Sequence, residues 1–168
     1  RVDEQDVTEQ CHMIDVNCKS LTMFSGLCLP YISSHSRIIN IASAAAFSPQ
    51  PNFAVYAATK AYVLSYSRAL NVELKERKIT VTTVCPGPVD TEFNQEAHVE
   101  FALPGITAEF CANYALKQMF RRKKVIVPGR ILRIGLFFGR FLPRNLLVKI
   151  AGKQQKRKIA ESLSKNTD

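Results

Sequence analysis

The stretch from Ser36 to Pro88 constrains this chain most. It reads "SRIINIASAA", then a helical pattern from about Phe53 to Lys78, then "ITVTTVCPGP". Both outer segments are short, continuous β-branched runs, which suit strands covered on both faces. A long helix between two buried strands is the mark of a parallel βαβ unit, because parallel pairing needs a crossover connection. A right-handed crossover lays that helix over the sheet. "TAEFCANYALKQMFRRKK" predicts another helix, with Ala108, Cys111, Ala112, Ala115, Leu116 and Met119 on one face, and "KVIVPGR" a third strand stopped by Pro128-Gly129. Upstream, "HMIDVNCKSLTMFSGLCLPYI" has apolar residues at helical spacing and predicts a long, largely buried helix. The fold class is α/β with a parallel sheet.

The 168 residues amount to one domain, and 46% hydrophobic content with 22% charged is a folded composition. The chain starts at Arg1, and a processed chain or a piece of something longer is expected. Cys11, Cys18, Cys28, Cys85 and Cys111 form no C-x-x-C pair, and His12, His35 and His98 add no ligand spacing. Reduced, mostly buried thiols in a cytoplasmic protein without a metal site are expected.

Charge is split along the chain. Residues 1–120 carry nine Lys and Arg against twelve acids; from 121 onward fourteen face two. The character changes after Gly129, so 1–129 is read as the folded body and 130–168 as a basic amphipathic helical extension. In the extension Arg130, Arg133, Arg140, Arg144 and Lys149 alternate with Leu, Ile and Phe, and Pro143 breaks or kinks the pattern. Two readings stand: an interfacial helix making peripheral membrane contact, or a pair of carboxyl-terminal helices packed over the substrate site with a solvated "KQQKRK" end. No unbroken apolar run approaches the roughly 18 residues of a span. No nucleic-acid recognition motif is present.

Four features are expected to face one crevice. Asn17 lies midway along the first helix and Ser43 ends the first strand in "NIAS". Tyr56-x-x-x-Lys60 follows thirteen positions later, and "PGPVDT", Pro86 to Thr91, ends the second strand. Ligands of parallel α/β sheets sit beyond the carboxyl ends of the strands. Residues i and i+4 share a helix face, so Tyr56 and Lys60 are neighbours. A free phenol is too weak an acid near pH 7, and a cationic lysine beside it favours the phenolate. Taken singly, each piece also has a plain reading: a helix surface pair, a turn serine, a Pro-Gly turn, a backbone-bonding asparagine.

Taken together, in this order and spacing, "NIAS", "YAATK", "PGPVDT" and the asparagine of "DVNCKS" resemble the short-chain dehydrogenase/reductase family over roughly Ile14 to Gly129. The body and basic tail look most like its 3-oxoacyl and 17β-hydroxysteroid-type branch. The resemblance implies a doubly wound, Rossmann-like parallel sheet, here its carboxyl-terminal half. It implies an NAD(P)-dependent oxidoreductase that interconverts a carbonyl and an alcohol, with NADP(H) preferred over NAD(H). Tyr56 is then the general acid or base. Lys60 tunes it and holds the nicotinamide ribose, Ser43 polarises the carbonyl, and Asn17 holds a relay water. Pro86, Gly87, Val89 and Thr91 hold the nicotinamide, with Tyr56 and Lys60 also on the cofactor side. The resemblance further implies a homo-oligomer pairing through the helices that carry Asn17 and Tyr56.

The sequence departs from the family in one place. The T-G-x-x-x-G-x-G loop and the N-N-A-G stretch are not in these 168 residues; the seven glycines form neither. The chain is expected to be a fragment that binds dinucleotide poorly and catalyses little alone, with a sheet edge exposed. The alternative is a non-catalytic, truncated binding or membrane-peripheral protein. "EFNQEAHVEFALPGIT" occupies the family's variable substrate lid, and its Phe93, Phe101, Leu103 and Ile106 suit a lipophilic small-molecule carbonyl or alcohol, or equally the packing of a loop on the core.

Overall fold

The structure, a computed structural model, describes residues 1–91 and 105–153. Helix α1 (Val7–Ile14) starts at Asp6, whose carboxylate accepts the Thr8 amide at 2.9 Å. It runs through one π-helical turn, Asp15–Lys19, into α2 (Ser20–Cys28). A 3-10 turn with Pro30 follows, and Ile32 is already extended.

Strand β1 (Arg37–Ile41) leads through a 3-10 turn, Ala44–Phe47, to α3 (Ala54–Glu73) and β2 (Thr80–Val84). Two short strands, β3 (Val89–Asp90) and β4 (Ile106–Thr107), pair in parallel. Thr107 caps α4 (Ala108–Phe120) by accepting the Phe110 amide. Then come β5 (Val125–Ile126), α5 (Arg130–Gly139) and a helical segment over 144–153, α6. Pro143 stands between the last two.

The sheet is parallel, in the order β1-β2-β5, with Ile39 beside Thr82 and Thr83 beside Val125. β2 is its centre, and alternation along it assigns the two faces. Val81 and Cys85 point to α3, where they pack with Leu70, Leu74 and Ile79 and with Ala42, Val63 and Leu64 respectively. Val84 points the other way and packs with Ala115 of α4 and Ile126. Helices on both faces make the sheet doubly wound. Two polar pairs fix α3 against it: Asn40 donates to Ser67 at 2.8 Å, and Asn71 accepts the Val81 amide at 3.0 Å. Both lie in the interior, where an unmade hydrogen bond is costly.

Several expectations are corrected. β1 is covered on both faces only in part: Ile38 packs with the α3-side cluster and Ile39 with Val84 and Ala115 on the other face, but Ile41 at its end is 56% exposed, and β1 pairs only with β2 among the described residues. The first helix is neither continuous nor largely buried. The π turn divides it, and Met23, Phe24 and Leu27 face outward. The long middle helix ends at Glu73, five residues early, and Lys78 in the turn after it has φ +56°. On α4 the buried line is Cys111, Ala115 and Met119, while Ala108, Ala112 and Leu116 are exposed. Only Cys85 is a fully buried thiol. Phe93, Phe101 and Leu103 lie outside the described residues, whereas Ile106 belongs to β4.

Candidate active site

The carboxyl ends of β1 and β2 are joined directly. The Ala42 amide donates to Val84 O at 2.8 Å and the Ala44 amide to Pro86 O at 2.7 Å. Ser43 sits between these bonds in extended backbone, and its hydroxyl accepts the Ala45 amide at 3.2 Å, capping the 3-10 turn. Ser43 and the Pro86–Thr91 segment are thereby held at one edge. β2 itself is anchored to β5 there, through the Cys85 amide and Ile126 O at 2.7 Å.

Tyr56 lies in the first turn of α3 and Lys60 one turn on. The Lys60 ammonium is 5.7 Å from the Tyr56 ring centroid, within cation–π range. The ammonium also donates to Ile41 O, the last carbonyl of β1, at 3.4 Å. It is half-buried, and burial pushes its pKa below the ordinary lysine value, an effect that the nearby Cys18 thiol opposes. Burial likewise raises Cys18, with Lys60 opposing.

Asn17 falls within the π turn, a backbone feature that often marks functional positions. Its side-chain amide donates to Thr59 Oγ1 at 3.1 Å, and the Thr59 hydroxyl donates to Tyr56 O at 2.8 Å. A polar chain therefore runs from the first helix to the main chain of the turn that carries Tyr56. Thr59 is 3% exposed, so its hydroxyl has little access to water.

Two clefts flank this edge. One, of about 390 Å³, is bordered by Asn17, Leu21, Phe24, Ile41, Lys60 and Val63. The other, of about 150 Å³, lies between Gly87-Pro88, Gly105-Ile106 and the start of α5. The expected residues thus fall in adjoining places rather than around one cavity. Asn17 and Lys60 face the first cleft and Gly87 the second. No hydrogen bond joins Ser43 to Tyr56 among the described residues. Val89 is in β3 rather than in a loop, and Thr91 donates to Val89 O at 3.4 Å. Among the described residues, no group of three or more His, Cys, Asp or Glu is placed to hold a metal ion.

The model of the short chain dehydrogenase family, adh_short, matches residues 1–100. The chain belongs to the short-chain dehydrogenase family. Its α/β fold agrees with solved members. A short-chain dehydrogenase from Sphingobium yanoikuyae in complex with NADPH is 28% identical with a TM-score of 0.69, over 81% of this chain and 56% of that one. A short-chain dehydrogenase from Burkholderia cenocepacia in complex with NADP has a TM-score of 0.73 at 23% identity, over 89% and 62%, and adds support for the fold alone.

In sequence, an uncharacterized oxidoreductase of Staphylococcus epidermidis is 36% identical over 97 residues, 56% of this chain and 42% of the relative. The very-long-chain 3-oxoacyl-CoA reductase of Anas platyrhynchos is 36% identical over 94 residues, 55% and 30%. Mouse 17-beta-hydroxysteroid dehydrogenase type 3 is 33% identical over 85 residues, 49% and 28%. The match reaches less than half the length of each of these curated relatives.

Sequence reasoning missed Thr59. The available signal was a hydroxyl one position before Lys60 on the inward face of α3, where a polar side chain needs a partner. Its partner is 42 residues away, and no local pattern names it.

Proposed function

We propose that this chain is the chemistry-bearing, carboxyl-terminal part of an NAD(P)-dependent oxidoreductase that interconverts a carbonyl and an alcohol. The observation that carries the reading is the Tyr56–Lys60 pair, 5.7 Å from ammonium to ring centroid, at the strand ends where Ser43 and Pro86 are tied together. Residues 1–129 form the catalytic portion and 130–168 a basic helical extension.

The side chains fit one end of a nicotinamide dinucleotide. Lys60 donates to Ile41 O but has no carboxylate partner among the described residues, so its other N–H groups remain for ribose hydroxyls. Pro86, Gly87, Val89 and Thr91 follow β2 at the same end of the sheet and are the residues we assign to the nicotinamide. The pyrophosphate end does not fit, because the glycine-rich loop is not in the sequence. We therefore expect these 168 residues alone to bind dinucleotide poorly and to be inactive.

The cofactor, when bound, supplies the hydride. Tyr56 supplies the proton to the carbonyl oxygen in reduction and removes it in oxidation. Lys60, a cation one turn away and 5.7 Å from the Tyr56 ring centroid, stabilises the negative charge that develops on the Tyr56 oxygen as the proton leaves, and holds the nicotinamide ribose. Ser43 donates to the carbonyl oxygen and stabilises the charge that develops there. Asn17 positions the turn carrying Tyr56 through Thr59 and holds the relay water behind Lys60. The NADPH complex of the Sphingobium yanoikuyae relative favours NADP(H). The 3-oxoacyl and hydroxysteroid relatives favour a lipophilic ketone or acyl substrate. A second copy is the expected partner, through the α2–α3 side, where Met23, Leu27 and Val72 stand exposed.

Protein expressed from its complete reading frame tests the proposal. Consumption of NADPH with 3-oxoacyl thioesters, steroid ketones or long-chain ketones is expected. No consumption of NADPH or NADH with any of them would remove the reading.

A further inference from the structure

Helix α5 is apolar on two opposite sides. Leu132, Leu136 and Gly139 form its inward stripe: Leu132 lies against Gly87, and Gly139 lies beside Leu147 of α6. The opposite side carries Ile131, Ile134, Phe137 and Phe138, continued by Phe141, and all five are more than half exposed. A soluble helix normally presents polar residues on that side. A contiguous patch of this kind marks an interaction site, whereas scattered exposed apolar residues need no explanation.

The borders of the patch identify what it meets. Arg130 begins the helix. Arg133 donates to the Tyr114 hydroxyl at 2.9 Å and lies 5.7 Å over its ring. Arg140 spans two patch residues, 5.6 Å over Phe137 and 5.1 Å over Phe141. Its guanidinium thus lies on the aromatic faces of the patch itself, so cationic and apolar groups share one surface. Arg144 follows on α6. None of these arginines has an ion-pair partner among the described residues. No Asp or Glu occurs between Glu109 and Glu161, while fourteen Lys and Arg do.

We infer that the outward face of α5 is a docking surface for an anionic lipid surface, on which the helix lies in the headgroup plane. The patch enters the acyl boundary and the arginines meet lipid phosphates. The ten residues of α5 span about 15 Å, half the thickness of a hydrocarbon core, so the helix lies on the surface rather than crossing it. No helix among the described residues is long and apolar enough to cross a membrane. A second copy of the chain fits this face less well, because a two-fold contact would set arginine against arginine. The inference does not depend on the proposed enzymatic activity.

The test is co-sedimentation of the protein, expressed from its complete reading frame, with vesicles. One set is phosphatidylcholine alone; the other contains about a third phosphatidylserine. The expected result is pelleting with the anionic vesicles only, weakened by added salt. Ile134→Ser/Phe138→Ser and Arg140→Glu/Arg144→Glu should each lower vesicle affinity roughly tenfold or more, with unfolding temperatures like the parent's. No pelleting overturns the inference. Pelleting that the charge variant loses and the apolar variant keeps also overturns it, since generic attraction to the basic tail would then suffice. Two further results would give the face to another occupant and likewise overturn it. One is a dimer, seen by sedimentation, that the apolar variant dissolves without any vesicle binding. The other is a large loss of thermal stability in the apolar variant, also without vesicle binding.

Discussion

Thr59 carries the coupling between the two helices of the site. Its hydroxyl accepts from Asn17 and donates to Tyr56 O, in a position closed to water. Thr59→Val keeps the shape and removes both bonds, leaving the Asn17 amide without this partner. We expect a loss of about 1–3 kcal/mol in denaturant unfolding, and a Thr59→Ser variant that recovers most of it. Equal stability of Thr59→Val and the parent would show that the chain of bonds contributes nothing. The Tyr56–Lys60 spacing was legible in the sequence because helix geometry alone makes i and i+4 neighbours. Thr59 was not, because its role depends on a tertiary contact. Cys85 gives a second test at this scale. Burial pushes its thiol up to about 12, whereas Cys11 is exposed. Cys11 should be alkylated readily at pH 8 in the folded protein, and Cys85 only on unfolding. The raised value also has a sign: the contribution of Cys85 to stability is complete below its ordinary value of 9.0 and is lost as pH climbs from there to about 12, because the unfolded thiol ionises first. Cys85→Ala should flatten that part of the alkaline unfolding profile. Rapid native alkylation of Cys85 would contradict the packing described.

Among the elements, β2 was the most legible. Its continuous run Thr80–Val84 is apolar or β-branched at every position because helices cover both of its faces. β1 has the same sequence character but is covered less completely, since the pattern of a run does not show where the cover stops: Ile38 and Ile39 pack on opposite faces, whereas Ile41 stands exposed. The first helix was misread for a similar reason. Helical spacing shows that apolar residues share a face, but not what covers that face, and Phe24 and Leu27 stand exposed. The start of α5 depends on Gly129, whose φ of +93° is a conformation that side chains with a Cβ rarely adopt. Gly129→Ala should destabilise by about 1–2 kcal/mol. Hydrogen exchange should show the loss concentrated at β5 and the first turn of α5. Unchanged stability and exchange would mean that this junction is not held at the positive φ.

At the scale of the whole molecule, the order Asn17, Ser43, Tyr56–Lys60, Pro86–Thr91 was the readable signal, and the family match over residues 1–100 agrees with it. What sequence order left open is how closely those groups converge. Fold alone ties Ser43 and Pro86 through neighbouring strands and ties Asn17 to α3 through Thr59, while Asn17 with Lys60 and Gly87 border different clefts. Tyr56 is the group we propose to exchange a proton with substrate. The most direct measurement is NADPH-dependent carbonyl reduction by protein from the complete reading frame, parent against Tyr56→Phe, with circular dichroism to compare their folds. We predict a fall in kcat of roughly a hundredfold to ten-thousandfold, the usual worth of a positioned proton donor, with the fold unchanged. A Tyr56→Phe protein as active as its parent would contradict the account.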